Sequence, residues 1–217
     1  MANPMTRIAV FYDGSFFQIV NQYFGTQHNK KQFFNMDGLH TFIRNEVAKF
    51  EKAPSLETCQ IVESHYFQGR HPLAYTQSKT DCANLLESQT FREELLIQAG
   101  VVQHYYPTRQ SVRSGKYQEK GIDVWLALEA YDLAVHKRFD VLVLFSGDQD
   151  FVPLIRKVNS LGTRVMVIGV NIQATQPPTV SSVMLLKEAN YTVMLDEVVD
   201  SRTASSDTIL QGIFHTR

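Results

Sequence analysis

The sequence predicts an α/β fold: a mainly parallel, doubly wound sheet of five to six strands with helices on both faces. Three observations carry this expectation. Short apolar runs, Arg7 to Tyr12, Val141 to Phe145 and Arg164 to Val170, have the composition of strands buried on both faces of a sheet. Between such runs lie longer segments with helical spacing of apolar residues, and strict strand–helix alternation implies right-handed βαβ units. Finally, aspartates stand just beyond several strands, at the edge where open parallel sheets place their ligands.

Taken in order, RIAVFY (Arg7 to Tyr12) is a first strand that leaves the sheet at Asp13-Gly14. Ser15 to Phe24 suits a helix, with Gly25 as its stop and an exposed loop after it. Asn35 or Asp37 can cap the next helix, whose Leu39, Phe42, Ile43, Val47 and Phe50 keep helical spacing up to Pro54. Thr58 to Phe67 is a second strand followed by a polar loop, QGRHP. Lys79 to Ala99 is a long helix with Cys82, Leu85, Leu86, Phe91, Leu95 and Leu96 on its expected buried side. Val101 to Tyr106 is a third strand, and Thr108 to Glu119 a mobile basic loop.

Lys120-Gly121-Ile122-Asp123 opens an apolar helix whose first turn holds Asp123, where the helix dipole favours an acid. The fourth strand, VLVLF, runs into Ser146-Gly147-Asp148-Gln149-Asp150-Phe151, and a helix with Pro153 in its first turn follows. RVMVIGV is the fifth strand. An irregular stretch around Pro177-Pro178, a short helix from Ser181 to Ala189 and a short sixth strand from Tyr191 to Leu195 complete the pattern. Residues 1–199 are expected to form one domain, and residues 200–217 a polar tail that is disordered or docks on a partner.

A chain of 217 residues with 44% hydrophobic content can bury a full core. A net charge of -1 supplies no global positive field, so a nucleic acid would have to be gripped locally. Cys59 and Cys82 form neither a disulfide framework nor a zinc pattern, and no run reaches membrane-spanning length. The N-terminal stretch lacks a secretory core, so the expected location is cytoplasmic.

Asp13, Asp123, Asp148 and Asp150 therefore share one predicted edge, provided that the first and fourth strands are neighbours. Two carboxylates about 4 Å apart repel by roughly 4 kcal/mol at an effective dielectric of 20, a penalty that a bound cation removes. Hard oxygen ligands select Mg2+ or Mn2+, and such an ion suits phosphodiester hydrolysis. Lys120 can hold an aspartate in place or contact a phosphate. His104, Arg109, Arg113 and Lys116 are expected on the same edge to grip a strand backbone, while Tyr105 or Tyr106 stacks a base. Taken singly, each aspartate is also an ordinary turn or cap residue.

FYDG ending at Gly14, KGID at Lys120 to Asp123 and SGDQDF at Ser146 to Phe151, in this order and spacing, resemble the NYN-domain branch of the PIN-like ribonucleases over roughly Arg7 to Leu195. The resemblance implies a three-layer α/β/α sandwich and metal-dependent cleavage of RNA, single-stranded or structured. It implies Asp13, Asp123, Asp148 and Asp150 as metal-site acids with Ser146 supporting them; Lys120 is added to the expected catalytic set by its place three residues before Asp123. Ser15, Arg109, Arg113, Lys116 and Tyr105 are the corresponding expected RNA-binding residues, no membrane is involved, and a homodimer is a candidate assembly. The chain departs from its relatives at one place: many carry an asparagine shortly after the first aspartate, as in DGSN, where this chain has Phe16. That departure motivates an alternative, a catalytically weak or inactive fold that binds RNA or protein. An aspartate-nucleophile phosphatase is a poorer match, because the second aspartate it needs two residues after the first is Ser15 here.

Overall fold

The computed structural model describes residues 5–72, 78–110, 117–202 and 207–215. Arg113 and Lys116 lie outside the described residues. A six-stranded, all-parallel sheet forms the middle layer of an α/β/α sandwich. In chain order its strands are β1 (Thr6–Asp13), β2 (Cys59–Arg70), β3 (Val102–Pro107), β6 (Val141–Phe145), β7 (Arg164–Gly169) and β10 (Tyr191–Met194). Their spatial order is β10-β7-β6-β1-β2-β3, so the winding reverses between β1 and β6. In open α/β sheets the crevice beyond the carboxyl ends at such a reversal is the ligand site.

The first half of the chain winds one way with its helices on one face: α1 (Gly14–Thr26), α2 (Met36–Glu51) and α3 (Lys79–Gln98). There Phe17, Val20, Phe24, Leu39, Phe42 and Ile43 pack on Ile8, Val10 and Tyr12 of β1. The second half winds back with α4 (Ile122–Lys137), α5 (Val152–Ser160) and α6 (Val183–Glu188) on the other face. Their Ile122, Leu126, Ala130, Ile155 and Val158 meet Ala9, Phe11, Leu142 and Leu144. Because successive strand residues point to opposite faces, the central strands must be apolar at every position. All five residues of β6 are buried accordingly.

Local signals account for the element ends. Asp13 and Asn35 are the N-caps of α1 and α2, their side chains accepting from Phe16 N and Gly38 N. Gly25 does not stop α1; the helix runs on to Thr26, and the Phe33 ring packs over the glycine. The polar QGR segment, expected as loop, instead continues β2 to Arg70, since pairing with β3 satisfies its backbone. The described ends of the basic loop after β3 pair as short antiparallel strands, β4 (Arg109–Gln110) against β5 (Tyr117–Gln118). The Pro177-Pro178 stretch is likewise held at its base by β8 (Asn171–Ile172) paired with β9 (Thr179–Val180).

Helix α3 departs most from its expected packing. Of its apolar row Leu96 is buried, Cys82, Leu85 and Leu95 are half-buried, and Phe91 is 63% exposed. It covers β3, an edge strand, so only a narrow stripe of sheet is available to it. Beyond α7 (Leu195–Arg202), α8 (Thr208–Gly212) and the residues after it fold back on α2, burying Leu210, Ile213 and Phe214. Among the described residues no helix is long and apolar enough to cross a membrane.

Candidate functional site

The β1–β6 register decides the site. Tyr12 pairs with Phe145, so the next residues along the two strands, Asp13 and Ser146, stand side by side at the reversal of the sheet. Ser146 is fully buried, and its Oγ donates to Asp13 Oδ2 at 2.9 Å. The other oxygen, Oδ1, accepts from Phe16 N at 3.2 Å as the cap of α1. Ser146 Oγ in turn accepts from Asp148 N at 3.2 Å, and Asp148 Oδ1 accepts from Asp150 N at 2.9 Å. One hydroxyl thus ties the end of β1 to the SGDQD turn.

Asp123 reaches the same place from α4. Its helix begins at Gly121, whose φ of +89° is a left-handed conformation that a side chain would strain. That turn aims the first turn of α4 at the sheet edge. Asp13 is pushed up to about 6, first by burial and then by the nearby charges of Asp123 and Glu119. Asp123 is raised by partial burial and by Asp148, Glu119 and Asp150. Asp123 is therefore within electrostatic reach of each of the other three expected acids.

Glu119 is a fifth acid that the motif reading passed over. Its Oε2 accepts from Ser15 Oγ at 2.6 Å and its Oε1 from Gly69 N at 3.1 Å, so it joins the ends of β1 and β2 to the start of α4. The available signal was its place four residues before Asp123, directly beside Lys120. Lys120 itself is exposed at that point.

The expected grip on a nucleic-acid strand is only partly assembled. Arg109 pairs with Gln118, one residue from Glu119, and is exposed. Tyr105 is not at the acids. Its ring packs with the core on the α1 to α3 face, under the Arg70 guanidinium at 5.4 Å, and its hydroxyl donates to Gln103 Oε1. The acids stand on the opposite, α4 side, because odd and even positions of a strand face opposite ways. His104 is level with Asp13 through the Asp13–Phe67 and Phe67–His104 pairs and lies on the α4 side, but it is packed into that face. It stacks on Phe67 with centroids 4.1 Å apart, meets His65 Nδ1 at 3.0 Å, and burial pulls it down to about 4, so it stays neutral.

The donor set fits a hard divalent cation: it consists of carboxylate oxygens, and the charges acting on Asp13 and Asp123 among the described residues are those of other acids. Among the described residues, no three His, Cys, Asp or Glu side chains are gathered closely enough to cage an ion. Magnesium is typically held by one or two carboxylates and several waters, so a loose set of this kind suits it better than it suits calcium or zinc.

The family model of the NYN domain matches residues 7–196, spanning every strand of the main sheet and all five acids. The chain belongs to the NYN domain family. The NYN domain has a PIN-like, nuclease-type fold. Among solved structures, it is similar to a protein of unknown function from Vibrio parahaemolyticus, with a TM-score of 0.56 and 17% identity over 91% of this chain and 97% of that one. At that identity the likeness shows the fold alone. No curated protein sequence matches the chain.

Proposed function

We propose that this NYN domain is a ribonuclease that hydrolyses RNA phosphodiester bonds with Mg2+ or Mn2+. The observation that carries the reading is the set of acids at the reversal of the sheet, Asp13, Asp123, Asp148 and Asp150, in which burial and neighbouring acids raise Asp13 and Asp123. One or two of these four would hold the ion directly, and the others would act through its waters. When bound, it acidifies a water and offsets the charge that develops on the phosphodiester. The Ser146 hydroxyl orients the Asp13 carboxylate and fixes the SGDQD turn. Glu119 holds Ser15 and the end of β2 in place. Lys120, Ser15 and Arg109 would touch the strand's backbone, and Arg113 and Lys116 are candidates of the same kind by their charge.

The test is cleavage of labelled single-stranded and hairpin RNAs with Mn2+, Mg2+ or chelator. Turnover is expected only with metal, and Asp148→Asn is expected to abolish it; metal-independent cleavage that survives the substitution overturns the reading. Ser146→Ala should lower metal affinity or activity by about 10- to 100-fold, as removal of a partner behind a ligand does. A loss that excess Mn2+ restores identifies the defect as one of metal binding.

A second reading, an RNA- or protein-binding module with weak or no turnover, has its own support. Both oxygens of Asp13 are already engaged within the chain, and Phe16 stands where relatives often have asparagine. It predicts RNA or protein binding without metal-dependent cleavage under single-turnover conditions.

A further inference from the structure

A cleft of about 560 Å³ opens directly beside Asp13 and Asp148. Its volume is in the range of small-ligand sites. One wall is Phe16 with Ile19 from the exposed side of α1, and the other is the β8–β9 hairpin from Thr175 to Val180. The hairpin is pinned where β8 pairs with β9, and Thr175 and Thr179 bond across it at 2.8 Å. The Phe16 ring rests edge-on against Phe145, centroids 5.9 Å apart. It has room there because residue 147 is glycine: a Cβ at that position would come within 2.7 Å of the ring. The residue that departs from its relatives therefore has a fitted seat.

The lining decides the ligand class. Apart from Asp13 and Asp148, no described side chain of the cleft is charged, so a phosphate would meet no cation inside it. Phe16, Ile19, Pro177 and Val180 offer apolar surface, while Gln149 and Gln176 offer amides that both donate and accept. This combination suits a flat, neutral heterocycle that presents hydrogen-bonding edges. We propose that the cleft is a nucleobase subsite in which Phe16 stacks on the base next to the phosphodiester held at the acids. The proposal rests on the nuclease reading for its placement of the phosphodiester, and on the cleft alone for its recognition of a base.

Nucleoside binding tests it without metal or turnover. Adenosine and uridine at about millimolar concentration, with ribose as control, are titrated in chelator into the full chain and followed by two-dimensional NMR. Nucleosides should shift the signals of Phe16 and Gln176, and ribose should not. A stacked base lost to alanine substitution costs roughly tenfold or more in affinity, so Phe16→Ala should weaken binding by that factor. Phe16→Trp should retain binding. Gln176→Ala, on the exposed rim, should weaken it with the melting temperature unchanged, which separates loss of recognition from misfolding. In a parallel arm with Mn2+, RNA carrying an abasic residue at successive positions should be cut poorly at one register only, and Phe16→Ala should raise KM for intact RNA but not for that abasic RNA. Nucleosides that fail to bind, or that bind Phe16→Ala as tightly as the natural chain, overturn the subsite even if metal-dependent cleavage is found. Phe16-dependent nucleoside binding without any cleavage upholds the subsite and removes the nuclease reading instead.

Discussion

Asp13→Asn is expected to stabilise the fold at neutral pH while abolishing metal-dependent cleavage. The carboxyl of Asp13 is pushed from its ordinary 3.8 up to about 6, mainly because it is buried. The native state therefore binds this proton more tightly than the unfolded chain does. Below about pH 4 both states are protonated and nothing is lost. As pH rises through 4 to 6 the unfolded chain ionises first, so stability falls, and above pH 6 the cost levels off near about 3 kcal/mol. Asparagine avoids that cost, and its Oδ1 can still cap α1 by accepting from Phe16 N, while its bond with Ser146 must be rearranged. A net gain of about 1–2 kcal/mol, or about 2–8 °C in Tm, is expected at pH 7.5 and should vanish near pH 4. Mn2+ should raise the Tm of the natural chain and leave that of the variant nearly unchanged, since a ligand stabilises only the state that binds it. Equal melting at pH 7.5, or a Tm difference independent of pH, would show that Asp13 carries no buried-charge penalty.

What could be read from the sequence divides along a physical line. The central strands were legible because β1, β6 and β7 are buried on both faces, which forces uninterrupted apolar runs. The runs put each of Asp13, Asp123, Asp148 and Asp150 at a strand or helix end, but their meeting depended on β1 and β6 being neighbours, which only the sheet order supplies. Glu119 was not legible, because its partners Ser15 and Gly69 meet it only through the fold. Tyr105 was misplaced because a strand's alternation says that neighbours face opposite ways, but not which face holds the acids, while His104, on the acids' face, is taken up by packing on Phe67 and Trp125. In α3 the apolar spacing was real, yet its amount exceeds what an edge strand can cover.

The tail after Asp200 gives the other large expected effect. Its composition is polar and small, so sequence alone separates it from the domain, but the few apolar residues it has are nearly all used. Asp207 caps α8 by accepting from Ile209 N and Leu210 N. Asn35 N donates to Ile213 O at 2.7 Å and His215 N to Phe33 O at 3.0 Å, clamping the segment to the chain before α2. The Phe214 ring then lies 5.5 Å from that of Phe24 and 5.6 Å from that of Phe34. Phe214→Ala should cost about 3–5 kcal/mol, the range for a buried phenylalanine, and lower the Tm by about 6–20 °C. Deleting residues 207–217 removes Leu210 and Ile213 as well, each worth about 1.5–3 kcal/mol, and so approaches the whole stability of a typical domain. A truncated chain that melts within about 2 °C of the full one would show that the segment is not part of the core. Phe24, which it covers, is on the helix that begins at the Asp13 cap, so the segment braces the far end of the element that carries Asp13 and Phe16 to the site.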